Sequence, residues 1–299
     1  MHLCLKFVCN NQEFYLGKKD QVYYPADIEV INGIEASEYE VLYTNYAVGD
    51  GAYLNGKRVL PRPIHIEGSV RSAGDSELVR SQMRRFFNPK YTGMLYIDRN
   101  GIQRKIEYEV EGLTFGDGHL YSNHEFILDI ICLLPMWMDV DDFGRNMAEI
   151  TPLFTFPWMP LRAKTAVKDH PRRGYAGQVM GYRTLRKWVY LKNDGDVSTG
   201  IRIVFRARGN VVNPKITLRS TGQFVRIITE MQKGDRIEID TTNRNQTIKM
   251  NGENIYNRID RQSQTFEIKP GGDYLEYDAD ENYTALDVDL FYTPLYLGV

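Results

Sequence analysis

Hydrophobic residues in this chain recur mostly at every second position, in short runs broken by glycine, asparagine and proline. Leu286, Val288, Leu290 and Tyr292 alternate with Asp287, Asp289 and Phe291. Ile201, Ile203, Phe205 and Ala207 alternate with Arg202, Val204, Arg206 and Arg208. Successive side chains of a strand point to opposite faces, so each run predicts one apolar and one mostly wet face. Such strands bury the apolar face against a second sheet, or curl until the sheet covers itself. Further strands are predicted at 188–191, 215–218, 224–228, 236–240, 247–250, 266–268 and 274–277, with turn signals between them. Many short strands at this spacing predict a sandwich or barrel.

The first half follows the same pattern, with one interruption. Residues 14–16, 28–31, 39–44 and 62–70 read as strands, the last with Ile64 and Ile66 on one face. Gly49-Asp50-Gly51 and Asn55-Gly56 read as turns. The period then changes: Leu78, Val79, Met83, Phe86 and Phe87 fall on one helical stripe, with Asp75 or Ser76 as the cap and Glu77 in the first turn. Asn88-Pro89 ends that helix, since proline disfavours helical backbone at the residue before it. Strands 94–97 and 102–110 flank Asn100-Gly101, the dipeptide best suited to a tight hairpin. Ile106, Tyr108 and Val110 share one face of that hairpin, and Phe126, Leu128, Ile130 and Cys132 share one face of the next strand.

Between about 135 and 187 the composition shifts. Pro135, Pro152, Pro157, Pro160 and Pro171 alternate with Trp137, Phe143, Phe154, Phe156 and Trp158, which leaves little room for regular helix. Residues 164–187 are basic, and residues 273–289 are acidic with no lysine or arginine. Opposite patches on one chain favour self-association through complementary faces.

The 299 residues suggest two domains, each able to bury a core. A formal charge of −2 weakens a DNA-binding reading. The 20 tyrosines suit half-buried sheet surfaces and interfaces. Cys4, Cys9 and Cys132 are too few and too scattered for a disulfide framework and read as reduced thiols. No signal peptide is expected at residues 1–8, and no apolar stretch approaches the roughly 20 residues needed to cross a bilayer. His119 and His124 are spaced to face opposite ways on a strand, which argues against a shared metal. Asp139, Asp141 and Asp142, and Asp278, Asp280 and Glu281, match no calcium-loop pattern. No nucleophile elbow, phosphate loop or dinucleotide fingerprint occurs. The expectation is therefore no catalytic, cofactor-binding or metal-ligating residue, no cofactor and no enzyme activity.

Several short motifs, in order along nearly the whole chain, resemble the distal tail (Dit) proteins of long-tailed, non-contractile phages. They are Arg62-Pro63-Ile64-His65-Ile66-Glu67-Gly68, Phe87-Asn88-Pro89, Asn193-Asp194-Gly195-Asp196, Asn213-Pro214-Lys215-Ile216, Gly234-Asp235 and Asn251-Gly252. The run from Ser263 to Pro270-Gly271-Gly272 and the closing Tyr296-Leu297-Gly298-Val299 complete the pattern. The resemblance implies a mainly β chain: a tail-tube-like β-barrel with one helix at 1–140, and a galectin-like β-sandwich at 141–299. The linker falls within about 141–187, and in some relatives the last residues, here 292–299, return to the first domain.

The resemblance also implies a hexameric ring at the virion tail tip, assembled in the bacterial host cytoplasm or encoded by a prophage. That ring joins the tail-tube protein to the tail-tip protein and receptor-binding proteins, with DNA passing through without specific binding and no membrane contact. The Asn100-Gly101 hairpin is the expected ring contact, and residues 164–187 are expected outside the bore. The rival reading is a β-sandwich module binding cell-wall glycan, with Tyr182, Trp188 or Tyr190 as an aromatic platform.

Overall fold

The computed structural model describes residues 3–19, 22–24, 26–70, 76–116, 124–141, 143–152, 181–185, 187–242 and 246–299. The protein is mainly β and divides into two compact units. The first comprises Met1–Asp142, Asp194–Thr199 and Thr293–Val299; the second comprises Phe143–Asn193 and Gly200–Tyr292.

The first unit contains β1 (Leu3–Cys9), β2 (Gln12–Lys19), β3 (Val22–Tyr23), β4 (Ala26–Asn32), β5 (Tyr39–Asn45) and β6 (Ala52–Val59). β7 (Arg62–Val70), helix α1 (Ser76–Phe86), β8 (Gly93–Arg99), β9 (Ile102–Phe115), β10 (His124–Cys132) and β11 (Trp137–Asp139) follow. The main sheet is antiparallel throughout, in the order β3-β2-β1-β8-β9-β10-β7-β4. Its apolar positions are those the alternation selects: Leu5, Phe7, Ile64, Ile66, Ile106, Leu128 and Ile130 are all at most 1% exposed.

The expected barrel is corrected in one respect. Among the described residues no ladder joins β4 back to β2 or β3, so the sheet curls without closing. Gly17, on β2, has a φ of +88°, which suits glycine. A Cβ there would lie 2.7 Å from the Leu3 carbonyl oxygen and 3.2 Å from Ile28 on β4. β2 and β4 thus approach through side chains instead of hydrogen bonds.

Helix α1 buries Val79, Met83 and Phe86, and Phe87 follows at 2% exposure. Phe7 meets Phe87 and Tyr108 edge-on at 5.0 and 5.4 Å. Leu78 stays 58% exposed, a departure from the expected stripe. It sits one position before Val79, about 100° around the helix from the buried row.

Arg62 is the largest polar group in this core. It is 1% exposed and donates to the carbonyls of Gly33 (2.6 Å), Pro135 (2.9 Å) and Leu297 (2.6 Å), and to the Ser37 hydroxyl (2.5 Å). Its guanidinium also lies 5.8 Å from the Trp137 ring centre, and the Trp137 indole donates to the Ile34 carbonyl. Burial lowers the pKa of Arg62, yet every acceptor is neutral. It thus ties together the 33–37 loop, the start of β7 and the closing residues. Those residues form a short strand, Leu295–Tyr296, on β11. Tyr296 also lies under Arg104 at 3.7 Å, and Gly298 leaves no room for a Cβ against the Glu35 backbone.

The second unit contains β12 (Phe143–Asn146), β13 (Ala148–Pro152), β14 (Gly181–Leu185), β15 (Trp188–Leu191), β16 (Arg202–Ala207), β17 (Val211–Leu218) and β18 (Phe224–Arg226). It continues with β19 (Glu230–Met231), β20 (Arg236–Asp240), β21 (Thr247–Met250), β22 (Glu253–Asn254), β23 (Asp273–Glu281) and β24 (Leu286–Tyr292). One sheet runs β12-β24-β16-β20-β21-β22; the other runs β15-β23-β17-β18, with β19 also on β17. Ile203, Phe205 and Val288 from the first sheet and Ile216, Leu275 and Tyr277 from the second share a single core. Two sheets burying one face each against the other is the sandwich solution. On the opposite face, Val204, Asp287 and Asp289 are also buried, at 1, 7 and 8% exposure, so that face is drier than its alternation predicts. Arg206 and Arg208 lie across the two carboxylates and pair with them.

Candidate functional site

Two surfaces stand out, one on each unit. The first is the β5–β6 hairpin. It forms a two-stranded sheet of its own, and neither strand pairs with any other among the described residues. Tyr39, Val41, Tyr43, Tyr53 and Leu54 are 49 to 64% exposed, and both faces of the hairpin are open to solvent. Its tip is Gly49-Asp50-Gly51, with φ of +99° and +109° at the two glycines. Tyr46 and Tyr53 pack edge-on at 4.4 Å, and Glu40 pairs with Arg58 at 2.5 Å. Asn55-Gly56 is not the expected turn. The register slips between Leu42 and Tyr43, opposite Asn55, and the Asn55 amide donates to the Thr44 hydroxyl at 2.6 Å. This is a bulge inside β6.

The turn expected at Asn100-Gly101 forms, with φ of +53° and +87°. β8 is flanked by β1 and β9, whereas the hairpin part of β9, Ile102–Tyr108, pairs on its outer side with β11 at Arg104 and Lys105, and its ladder to β10 begins at Glu109.

The second surface is the outer face of the β15-β23-β17-β18 sheet. Trp188, Tyr190 and Tyr274 are 47, 37 and 43% exposed and form one cluster. Tyr274 lies 5.6 Å from Trp188 and 5.0 Å from Tyr190, centre to centre. Register places Tyr190 opposite Tyr274 and Trp188 opposite Glu276. Tyr274 was missed from sequence, where it is one ring in an alternating strand whose facing was not assigned. The side chain of Tyr182 and nearly all of the basic stretch 164–187 lie outside the described residues.

The acidic stretch is largely accounted for within its own unit. Glu276 lies 3.8 Å from Arg219, and Asp278 lies 3.2 Å from Lys187. Asp280 pairs with Arg226 and accepts from Asn213, and those hydrogen bonds lower its pKa, the Asn213 bond first. Asp273 accepts from Ser220, and Asp287 and Asp289 pair with Arg208 and Arg206.

The remaining candidates are dispersed. His119 and Asp142 lie outside the described residues. Asp139 faces Arg104 at 3.6 Å. Among the described residues no group of three or more His, Cys, Asp and Glu side chains is placed to hold a metal. The three cysteines are buried and unlinked, and burial pushes the Cys132 thiol up to about 12. An open groove of about 600 Å³ lies between β2 and β4, with Lys18, Glu29 and Arg99 among its lining residues. In it, Arg99 donates to Glu35 at 2.8 Å and to the Val299 carbonyl at 3.1 Å, so Arg99 is engaged in packing.

The sequence motifs find structural work. In Arg62–Val70, Arg62 holds the core, Ile64 and Ile66 fill it, and His65 joins Glu67 and Asp129 on the outer face at 2.8 and 2.5 Å. A Cβ on Gly68 would strike the Asp27 carbonyl at 2.1 Å and Phe126 at 2.7 Å. In Asn193-Asp194-Gly195-Asp196, Asn193 donates to the Ile268 carbonyl, and Asp196 accepts from the Leu297 amide.

These features define a mainly β protein of two separately cored units, with exposed rings on a free hairpin and on a sheet face. Residues 194–296 match the family model for the siphovirus-type tail component, C-terminal domain. The whole-chain fold is similar to the Dit protein (gp 19.1) of phage SPP1, titled a paradigm of the hub adsorption apparatus in phages infecting Gram-positive bacteria. The TM-score is 0.67 at 14% identity, over 98% of this chain and 99% of that one. It is also similar to a chain of the phage p2 baseplate in its activated conformation with calcium, with a TM-score of 0.51 at 10% identity over all of both chains. A second p2 baseplate structure, with strontium, gives 0.50 at 10% identity over 99% of each chain. No curated protein matches the chain. At these identities the structural likeness is one of fold, and the family model matches residues 194–296 alone. Together they uphold the resemblance to the distal tail proteins of siphophages.

Proposed function

We propose that this chain is a structural hub of a long-tailed phage, a ring of six copies at the tail tip that joins the tail tube to the tail-tip and receptor-binding proteins. The first unit would form the ring as a tail-tube-like domain, and the second would project a galectin-like sandwich. DNA would pass through without specific binding. The ring would assemble in the bacterial host cytoplasm before joining the virion. No reaction is assigned to it.

The observation that carries this reading is the β5–β6 hairpin, in a chain whose full-length fold resembles hub proteins. A two-stranded hairpin exposing tyrosine, valine and leucine on both faces is marginal alone in water and gains from a partner. Its open edges offer backbone donors and acceptors to a neighbouring strand. A ring of identical subunits uses such heterologous contacts, one face against a different face of the next copy.

The test is the solution mass of the chain, with particle images. A six-membered ring with a central hole is expected. Tyr43→Ser combined with Leu54→Ser should release monomers that melt like the parent. A parent chain that stays monomeric when mixed with its tail-tube partner contradicts the reading, as does a ring indifferent to this double change.

A further inference from the structure

Both ends of the β5–β6 hairpin run into one short loop and one buried arginine. Before β5, every residue of the 33–37 loop is engaged. Arg62 donates to the carbonyls of Gly33 and Ala36 and to the Ser37 hydroxyl, and the Trp137 indole donates to the Ile34 carbonyl. Arg99 donates to the Glu35 carboxylate, and Gly298 meets the Glu35 backbone with no room for a Cβ. After β6, the Leu60 amide donates to the Glu38 carbonyl, and Arg62 follows two residues later. No ladder joins the hairpin to the main sheet among the described residues, so this root sets its direction.

Residues from the far end of the chain complete that root. The Leu297 carbonyl accepts from Arg62 at 2.6 Å and from the Ser37 hydroxyl at 3.5 Å, and the Val299 carbonyl accepts from Arg99 at 3.1 Å. These closing residues are themselves placed. Asp196 accepts from the Leu297 amide at 3.0 Å, its own amide donates to the Leu295 carbonyl, and Leu295–Tyr296 pairs with β11. In sequence they continue directly from β24, which lies between β12 and β16 in the second unit. We infer that residues 293–299 are a latch. By fixing the 33–37 loop they hold the hairpin in the pose that pairs with the next copy, and they make that pose conditional on a folded second unit.

This role rests on the hairpin as the ring contact proposed above and adds its control. The cost that the latch removes is entropic. An unlatched hairpin swings about residues 38 and 60 and gives up that freedom at each contact, whereas a latched one has given it up on folding. A ring of identical subunits repeats the difference at every interface. A chain whose sandwich is unfolded therefore presents a loose hairpin and stays out of the ring.

Gly298→Val in the full chain should expel the closing residues from the Glu35 backbone. Amide exchange should then rise about tenfold in residues 33–45, with exchange in β1, β8 and β24 unchanged because both units stay folded. The chain concentration at which half the copies assemble should rise about tenfold or more. Asp196→Ala removes only the side-chain acceptor of the Leu297 amide and should move both readings the same way by a smaller factor. It decides the question if Gly298→Val does not fold. Unchanged exchange in residues 33–45 overturns the latch, as does raised exchange with assembly at the parent's concentration. Failure of the hub reading looks different: the parent chain itself forms no ring, and the latch's part in assembly falls with it. Tyr43→Ser with Leu54→Ser separates contact from latch, since it should abolish the ring with exchange in residues 33–37 unchanged.

Discussion

Two hairpins of the first unit are built from similar alternating residues and meet opposite fates. The β8–β9 hairpin lies within the main sheet, with β1 along β8 and β11 on β9 at Arg104 and Lys105, and Leu95 and Ile106 are fully buried. Among the described residues the β5–β6 hairpin pairs only with itself, and Tyr43 and Leu54 are more than half exposed. The difference lies in the neighbours and not in the strands. β8 pairs with β1, whereas among the described residues both edges of β5–β6 stay open. Its root, by contrast, is tied down by hydrogen bonds. Arg62, immediately after β6, grips the carbonyls and hydroxyl of the 33–37 loop immediately before β5. A mobile adhesive arm would lose entropy on every contact; one clamped at its base loses less.

This contrast can be broken most severely at the embedded hairpin. Leu95→Ala should lower the unfolding free energy by about 2–5 kcal/mol, as buried leucine truncations do. Denaturant melts would show it, and a loss below about 1 kcal/mol would mean that β8 is not in the core. The clamp comes next. Arg62→Met strands several buried acceptors at a cost of about 1–3 kcal/mol. It should also raise amide exchange in residues 33–37 and 293–299; unchanged exchange in both would remove Arg62 as the clamp.

Smaller effects distinguish the two turns. Gly101→Ala, at φ +87°, should cost about 1–2 kcal/mol, because a Cβ is strained in left-handed backbone. Gly56→Ala lies at ordinary backbone angles with nothing within 4 Å, and should shift stability by less than about 0.5 kcal/mol. Equal penalties at the two sites would mean that β6 carries a turn after all.

The least effect is expected at His65. Hydrogen bonds to Glu67 and then to Asp129 raise its pKa above the ordinary value of 6.5. The stability they add is therefore complete below that value and fades as pH rises through the raised one. His65 is 37% exposed, so solvent screens most of the effect. His65→Asn should flatten the slope of melting temperature as pH rises above the ordinary histidine value of 6.5; an unchanged slope would show that the pair adds nothing.

Where the sequence pattern was local, it was legible. The alternation over 126–132 and the stripe Val79, Met83 and Phe86 mark buried faces, and Asn100-Gly101 marks a reversal, since each depends on neighbours a few residues away. What failed depended on distant partners. Asn55-Gly56 has the composition of a turn, but its backbone is set by pairing with Thr44 and Leu42. The ion pairs of the acidic stretch were hidden in the same way, because Arg206, Arg208, Arg219 and Arg226 lie far from it in sequence. Exposure of Trp188 and its contact with Tyr274 followed from a register spanning more than eighty residues, which no local window contains. Closure of the first sheet failed for the same reason: it is decided by how β2 approaches β4 around Gly17.

The interleaved path of the chain imposes an order on its biogenesis. Leu297, which completes the coordination of Arg62, and the strand Leu295–Tyr296 leave the ribosome only after every residue of the second unit has been made. The first unit must therefore wait, nearly whole but unsealed, while the sandwich is translated and folds on its own. Nascent chains halted before residue 293 should carry a sandwich that resists protease and a first unit that does not.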